Sequence, residues 1–305
     1  MSIPPFKSIA LIGIGLIGSS LARAIKAYNL ADNIRIATRR EETLATAQRL
    51  KLGDAYFLDN AAAVEDADLV IISVPVGACE MIAKSIKHAL KPGTIISDTG
   101  STKASVIKQM APHLPHNCHF IPGHPIAGTE YSGPEAGFTT LFKNRWCILT
   151  PLEGCNHQAL TQLSAFWEAC GSRVDCMEAQ HHDLVLAIVS HLPHLIAYNI
   201  VGTAADLEKV TRSEVISYSA SGFRDFTRLA ASDPTMWRDI CLHNKEAILE
   251  MLARFSEDLA SLQRAIRWDD GEALFNLFSR TGSIRRSIIE AGQDIDASNF
   301  GRDKN

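Results

Sequence analysis

Gly123-His124-Pro125-Ile126-Ala127-Gly128 sets one imidazole between a glycine and a proline. Glycine and proline let the backbone approach a ligand closely and fix its direction, so a histidine there can be aimed at a bound molecule as a proton acceptor near neutral pH. A lone histidine in a turn is also a common structural residue, so the weight comes from the groups that accompany it. Asp98-Thr99-Gly100-Ser101-Thr102-Lys103 stands at the carboxyl end of a predicted strand, where open α/β sheets bind ligands. Ser101 can orient His124 or a substrate hydroxyl there, or it can cap the helix that follows Thr102. Ser190-His191-Leu192-Pro193-His194 brings two histidines onto about one helical face. Ser221-Gly222-Phe223-Arg224-Asp225-Phe226-Thr227-Arg228 carries two arginines four apart, side by side if helical. Two adjacent guanidinium groups want anions: either Asp225 and other carboxylates of the fold, or a substrate with two carboxylates. Asp233-Pro234-Thr235-Met236-Trp237 begins a helix, with Trp237 read as core or as the border of a pocket.

A second constellation implies a nucleotide. Gly13-Ile14-Gly15-Leu16-Ile17-Gly18 matches GxGxxG, follows a predicted strand and opens a predicted helix. The first glycine permits the tight turn, the second lets backbone N–H groups reach a pyrophosphate, and the third lets helix and strand pack closely. Leu16 and Ile17, between the glycines, are counted with the cofactor-binding residues. Twenty residues beyond Gly18, where an NAD enzyme usually has an acidic residue for the ribose, stand Thr38-Arg39-Arg40. A planar guanidinium pairs well with a 2′-phosphate, so these three residues favour NADP over NAD, unless Glu41 or Glu42 occupies one of the arginines. Ser73, Val74 and Pro75, closing a strong apolar strand, are counted with the cofactor-binding residues.

The elements around these groups divide the chain in two. Ser8–Ile12, Ile34–Ala37, Asp68–Val74, Thr94–Asp98, Cys118–Pro122 and Trp146–Thr150 read as strands, the last near the sheet edge, with helical segments between them from Leu16 to Tyr28 and from Glu41. Repeated βαβ units predict an α/β doubly wound sheet over residues 1–175. Beyond about Val174 the period becomes helical, over 184–206, 237–255, 259–268 and 273–291. That makes 176–305 an all-α domain, and apolar residues around much of each helix predict a homodimer interface there. The 305 residues are 46% apolar with a net charge of −4 and no long run of one sign, which argues against nucleic acid or an anionic membrane as a partner. No spanning segment or leader stands out, and the expected location is cytoplasmic. Seven cysteines without CxxC or Cys/His ligand spacing are expected to be reduced thiols, with no metal site.

In the order GxGxxG, DxGSxK, GHPIAGTExSG, SHLPH, SGFRDFTR and SDPxMW, over about residues 7–290, the chain resembles the prephenate and arogenate dehydrogenases of tyrosine biosynthesis. The resemblance implies an N-terminal Rossmann domain, a C-terminal helical dimerisation domain, and oxidative decarboxylation of a cyclohexadienyl acid with hydride transfer to NAD(P). Carried onto this chain, it makes His124 the catalytic hydrogen-bond acceptor, Ser101 its partner and Arg228 the clamp on the ring carboxylate. Arg224 sits where some relatives have lysine, His194 falls near the substrate side chain with His191 beside it, and Glu130 and Trp237 fall at the pocket mouth. Two rivals stand beside it: a β-hydroxyacid dehydrogenase, whose usual lysine on a second-domain helix is not evident here, and an NADP-sensing protein without chemistry.

Overall fold

The computed structural model describes residues 6–206 and 220–290. Two compact units are present, residues 1–248 and 249–305.

The first unit is built on a six-stranded parallel sheet: β1 (Phe6–Ile12), β2 (Ala31–Ala37), β3 (Ala55–Phe57), β4 (Leu69–Ile72), β5 (Ile95–Asp98) and β6 (His119–Phe120), in the order β3-β2-β1-β4-β5-β6. This is the doubly wound order, with its reversal between β1 and β4. Strand β1 shows how the apolar run specifies a strand covered on both faces. Side chains alternate, so Ile9 and Leu11 join Leu21, Ile25 and Trp167 on one face, while Ala10 and Ile12 join Val64, Ile82 and Val106 on the other. The first face is covered by α1 (Leu16–Tyr28) and α6 (His157–Ala169), the second by α3 (Asn60–Val64), α4 (Cys79–Ile86) and α5 (Lys103–Met110). Between α1 and α3, α2 (Glu41–Arg49) follows the extended residue Arg40.

Three sequence expectations need correction. Trp146–Leu149 (β8) is not at the edge of the large sheet. It is the centre of a separate three-stranded sheet, antiparallel to β7 (Gly123–Pro125) and parallel to β9 (Arg173–Cys176). An apolar run reveals burial, not which strand it pairs with. The expected helix break near residues 256–258 is absent, because Ser256 Oγ folds back onto Leu252 O within the helix. The break lies instead at Asn244, between α10 (Pro234–His243) and α11 (Lys245–Arg267), where Asn244 turns its amide onto Asp183 O. Third, residues 184–205 contain no Asp, Glu, Lys or Arg, and the continuous helical run Ala179–Asp206 is long and apolar enough by composition to cross a membrane. In the fold, the face of that run bearing His182, Asp183 and His191 is buried in the first unit.

That run contains the local irregularity that shapes the site. After α7 (Ala179–Leu186) comes a π turn at Ala187–His191, then α8 (Leu192–Asp206). Pro193 has no N–H to return to the preceding turn, and a wider turn absorbs the missing bond. A short helix, α9 (Ser221–Thr227), continues into a 3-10 turn at Arg228–Ala231. Helix α10 starts as its sequence predicts, with the Asp233 carboxylate accepting from Met236 N at 2.8 Å and Pro234 in the first turn.

In the second unit, α12 (Gly271–Glu290) has no buried residue, and Leu259, Ile266, Trp268, Phe275, Phe278 and Ile284 are exposed.

Candidate active site

The glycine loop joins β1 to α1 at the point where the strand order reverses. Gly13 has φ +90°, and a Cβ there would lie 2.3 Å from Ser73 O; a Cβ on Gly18 would lie 2.1 Å from Gly13 O. Both positions therefore require glycine, and Ser73 is part of the reason. A Cβ on Gly15 would meet nothing within 4 Å. That open space faces the start of α1, whose cap makes no side-chain bond and whose first turn carries no acidic residue. Free helical N–H groups beside an open glycine suit a pyrophosphate. Thr38, Arg39 and Arg40 follow β2 in the adjacent turn, where Arg39 and Arg40 are exposed and make no ion pair among the described residues. Glu41 and Glu42 do not occupy them. Val74 and Pro75 follow β4 next to the loop.

His124 lies in β7, 8% exposed. Its backbone is held by a buried charge pair: Asp98 and Lys103 are both fully buried and bonded to each other. Lys103 Nζ donates to Gly123 O at 2.6 Å, Gly123 N donates to Asp98 Oδ1 at 3.2 Å, and Gly100 N donates to Asp98 Oδ2 at 2.7 Å. The peptide groups on either side of Gly123 are thus fixed, and His124 with them.

The partner of His124 in this structure is His182, not Ser101. His124 Nδ1 lies 2.9 Å from His182 Nε2, and His182 Nδ1 lies 2.8 Å from Asp183 Oδ1. Ser101 is half-buried and its hydroxyl makes no hydrogen bond among the described residues. It does not cap α5 either: Lys103 N and Ala104 N donate to the two oxygens of Asp183, at 2.6 and 2.9 Å. A carboxylate brought in by α7 outcompetes a neutral hydroxyl at a helix N-terminus.

Burial pushes the pKa of four imidazoles down. His124 is held well below the ordinary histidine pKa by loss of solvent first, then by His182, Lys103 and His191. His182 is lowered by burial, against the opposing pull of Asp183. His191 is pushed down to about 4, again chiefly by burial, and Asn244 Nδ2 lies 3.2 Å from its Nδ1. His194 is lowered by burial and by nearby Arg228; its Nδ1 donates to Ser190 O at 2.9 Å.

Trp237, 6% exposed, joins the two predicted histidines: His194 stacks on it at 3.9 Å and His191 meets it edge-on at 6.0 Å. Trp237 Nε1 and His191 Nε2 are buried without a hydrogen-bond partner among the described residues. Arg228 Nη1 pairs with Glu130 Oε2 at 3.1 Å across an exposed contact. Arg224, on the preceding turn, is exposed. The predicted residues His124, His191, His194, Trp237, Arg228 and Glu130 thus form one chain of neighbours. Sequence reasoning missed His182 and Asp183, and gave no role to Asp98 or Lys103. The signal for the first pair was an adjacent His-Asp at the head of a helix otherwise free of charge.

Comparisons with known proteins agree with this architecture. Residues 21–176 match the family model described as prephenate dehydrogenase, nucleotide-binding domain, and residues 178–280 match prephenate dehydrogenase, dimerization domain. The chain is 45% identical to the cyclohexadienyl dehydrogenase of Zymomonas mobilis, over 93% of this chain and 96% of that protein. It is 33% identical to the prephenate dehydrogenase of Bacillus subtilis, over 92% of this chain and 76% of that one. Among solved structures, the prephenate dehydrogenase of A. aeolicus in complex with hydroxyphenyl propionate and NAD+ superposes with a TM-score of 0.87 and 31% identity, covering 94% of this chain and all of that one.

Proposed function

The chain belongs to the prephenate dehydrogenase family, and on that premise we propose that it catalyses the oxidative decarboxylation of prephenate, or of arogenate, in tyrosine biosynthesis. The observation that carries the assignment is a buried His124, held well below the ordinary histidine pKa and with one ring nitrogen bonded to His182, in the same run of neighbours as Arg228.

Residues Gly13, Gly15, Leu16, Ile17 and Gly18, with Ser73, Val74 and Pro75, would hold a nicotinamide dinucleotide, which when bound supplies the hydride acceptor. Exposed Arg39 and Arg40, which make no ion pair among the described residues, favour NADP over NAD, and Thr38 can add a hydroxyl. The chain's own residues do the rest. His124 accepts the proton of the ring hydroxyl as hydride leaves the same carbon; loss of CO2 then restores electrons to the ring, and the proton returns to the phenol oxygen. Atoms and charge balance without a net proton. Arg228 holds the ring carboxylate once Glu130 gives way, and Arg224, His194 and His191 receive the side chain, with Trp237 as the wall behind the imidazoles. Ser101, its hydroxyl unspent, is placed as a bond to the substrate hydroxyl. Prephenate is favoured because Arg224 and the histidines suit an anionic keto acid.

We assign residues 1–175 to cofactor binding and 176–305 to substrate binding and dimerisation. The exposed apolar residues of α11 and α12 and the matched dimerization model support a homodimer. All seven cysteines are free, in keeping with a cytoplasmic location.

Initial rates of NADP and NAD reduction with prephenate and with arogenate test this directly, and one pairing should dominate in kcat/KM. His124→Asn should lower kcat by roughly 10²- to 10⁴-fold with KM little changed. No reduction with any of the four pairings would reject the assignment.

A further inference from the structure

The hydrogen bonds around His124 decide which of its nitrogens carries a proton. Both oxygens of Asp183 accept backbone N–H groups of α5, from Lys103 and Ala104. Asp183 Oδ1 can therefore only accept from His182, which places the proton of His182 on Nδ1. A neutral His182 then presents a lone pair at Nε2. The 2.9 Å contact to His124 requires a donor on the other side, so His124 carries its proton on Nδ1. Its Nε2 is left unprotonated, as a proton acceptor must be.

We propose that His182 and Asp183 are positioning residues that lock His124 in the tautomer with a free Nε2 lone pair, and that they hold its Nδ1–H as the ring becomes positive. The inference rests on His124 being the proton acceptor, as argued above. Its geometry is that of a two-ring relay ending on a carboxylate, and the carboxylate is itself fixed by the first turn of a neighbouring helix. Helices α5 and α7 pack against each other at this point, so the tautomer of His124 is tied to the docking of the helical half on the sheet half. His124 and His182 lie completely out of reach of bulk water, or nearly so, and a wrong tautomer there could not be repaired by solvent.

The charged and titratable groups facing His124 are His182 and Asp183 from α7, Lys103 from α5, Asp98 from β5, His191 from the π turn and the Cys147 thiol from β8. Removal of His182 therefore changes the acid limb of kcat as well as its height. Lys103 and His191 would still oppose protonation of His124, but the acceptor for Nδ1–H would be gone and both tautomers would be populated.

The test is a two-bond 1H–15N correlation spectrum of the full enzyme labelled with 15N-histidine, without substrate, with signals assigned by loss in His124→Asn and His182→Gln. Nδ1 of both His124 and His182 should give protonated-nitrogen shifts and Nε2 of both should give unprotonated ones. A proton on Nε2 of His124 overturns the proposal, and this readout needs no turnover, so it stands even if the assigned reaction fails. In kinetics, His182→Leu should lower kcat about 10- to 100-fold with KM near wild type and displace the acid limb. His182→Gln, whose amide oxygen can accept from Nδ1, should recover most of the loss. A leucine variant with wild-type kcat and pH profile also overturns the proposal; should that variant not fold, the wild-type spectrum still decides.

Discussion

Replacing Lys103 with methionine should destabilise the first unit out of proportion to the size of the change. Lys103 and Asp98 are both fully buried, and Lys103 Nζ bonds the Asp98 carboxylate and Gly123 O. Methionine fills nearly the same volume, so little of the cost is cavity. What remains is a buried carboxylate that has lost its cation, still accepting from Gly100 N and Gly123 N, and a carbonyl that has lost its donor. Breaking one side of a buried pair costs about 3–5 kcal/mol. For a unit of this length, about 2–4 °C per kcal/mol translates that into a fall in Tm of roughly 6–20 °C. Denaturant unfolding of wild type, Lys103→Met, Asp98→Asn and the double variant measures the coupling. The double variant should recover about 1–3 kcal/mol relative to the sum of the singles, since it removes the stranded charge. A Lys103→Met cost below about 1 kcal/mol, with additive singles, would refute the claim that this pair fixes the His124 segment.

Arg228→Ala should raise KM for the dianionic substrate strongly with a smaller effect on kcat, since a charge-assisted contact is worth about 1.5–3 kcal/mol; unchanged KM would make Arg228 structural. Glu130→Gln should lower KM slightly, because the half-exposed Glu130–Arg228 pair is screened and worth at most about 1 kcal/mol. Arg39→Ser with Arg40→Ser should reduce the NADP-to-NAD ratio of kcat/KM at least tenfold, and an unmoved ratio would remove these residues from 2′-phosphate recognition. The depressed pKa of His191 means that the unfolded chain binds its proton first, so stability is present above pH 6.5 and is lost as pH falls toward about 4. That loss is roughly 2 kcal/mol at pH 5 for the one residue, and His191→Asn should show a shallower decline between pH 7 and 5 in chemical denaturation.

The fold was legible where one face or both faces of an element are buried by a continuous pattern. Helix α1 spans Leu16–Tyr28 as its spacing predicts, and β1, β2, β4 and β5 follow their apolar runs within a few residues. Strand β3 was missed because it has three residues, all half-buried, so neither alternation nor a buried run is present to read. The reassignment of β8 has a different cause. Its burial is encoded locally, but its partners are set by where Gly123–Pro125 and Arg173–Cys176 come to lie, 20 or more residues away on either side.

The site shows the same division at closer range. Residue types that bear chemistry stood out from their local sequence: His124 between Gly and Pro, the paired arginines, the glycine loop. The groups that act on them did not, because their meaning depends on long-range packing. Asp183 acquires its function only when α7 meets the start of α5, 80 residues earlier in the chain, and Ser101 loses the capping role its position suggested for the same reason. The completed arrangement sorts charge by permanence. The guanidinium groups of Arg224 and Arg228, which cannot lose their protons, lie exposed, and on the proposed function they capture a dianion from water without desolvating an unpaired cation. His124, His182 and His191 lie buried and His194 half-buried, and burial pushes all four below the ordinary histidine range, which favours a free lone pair at the pH at which the arginines are needed. Exchanging the two positions would fail on both counts: a buried arginine without its substrate would be an uncompensated charge, and an exposed histidine would be protonated over part of the working range.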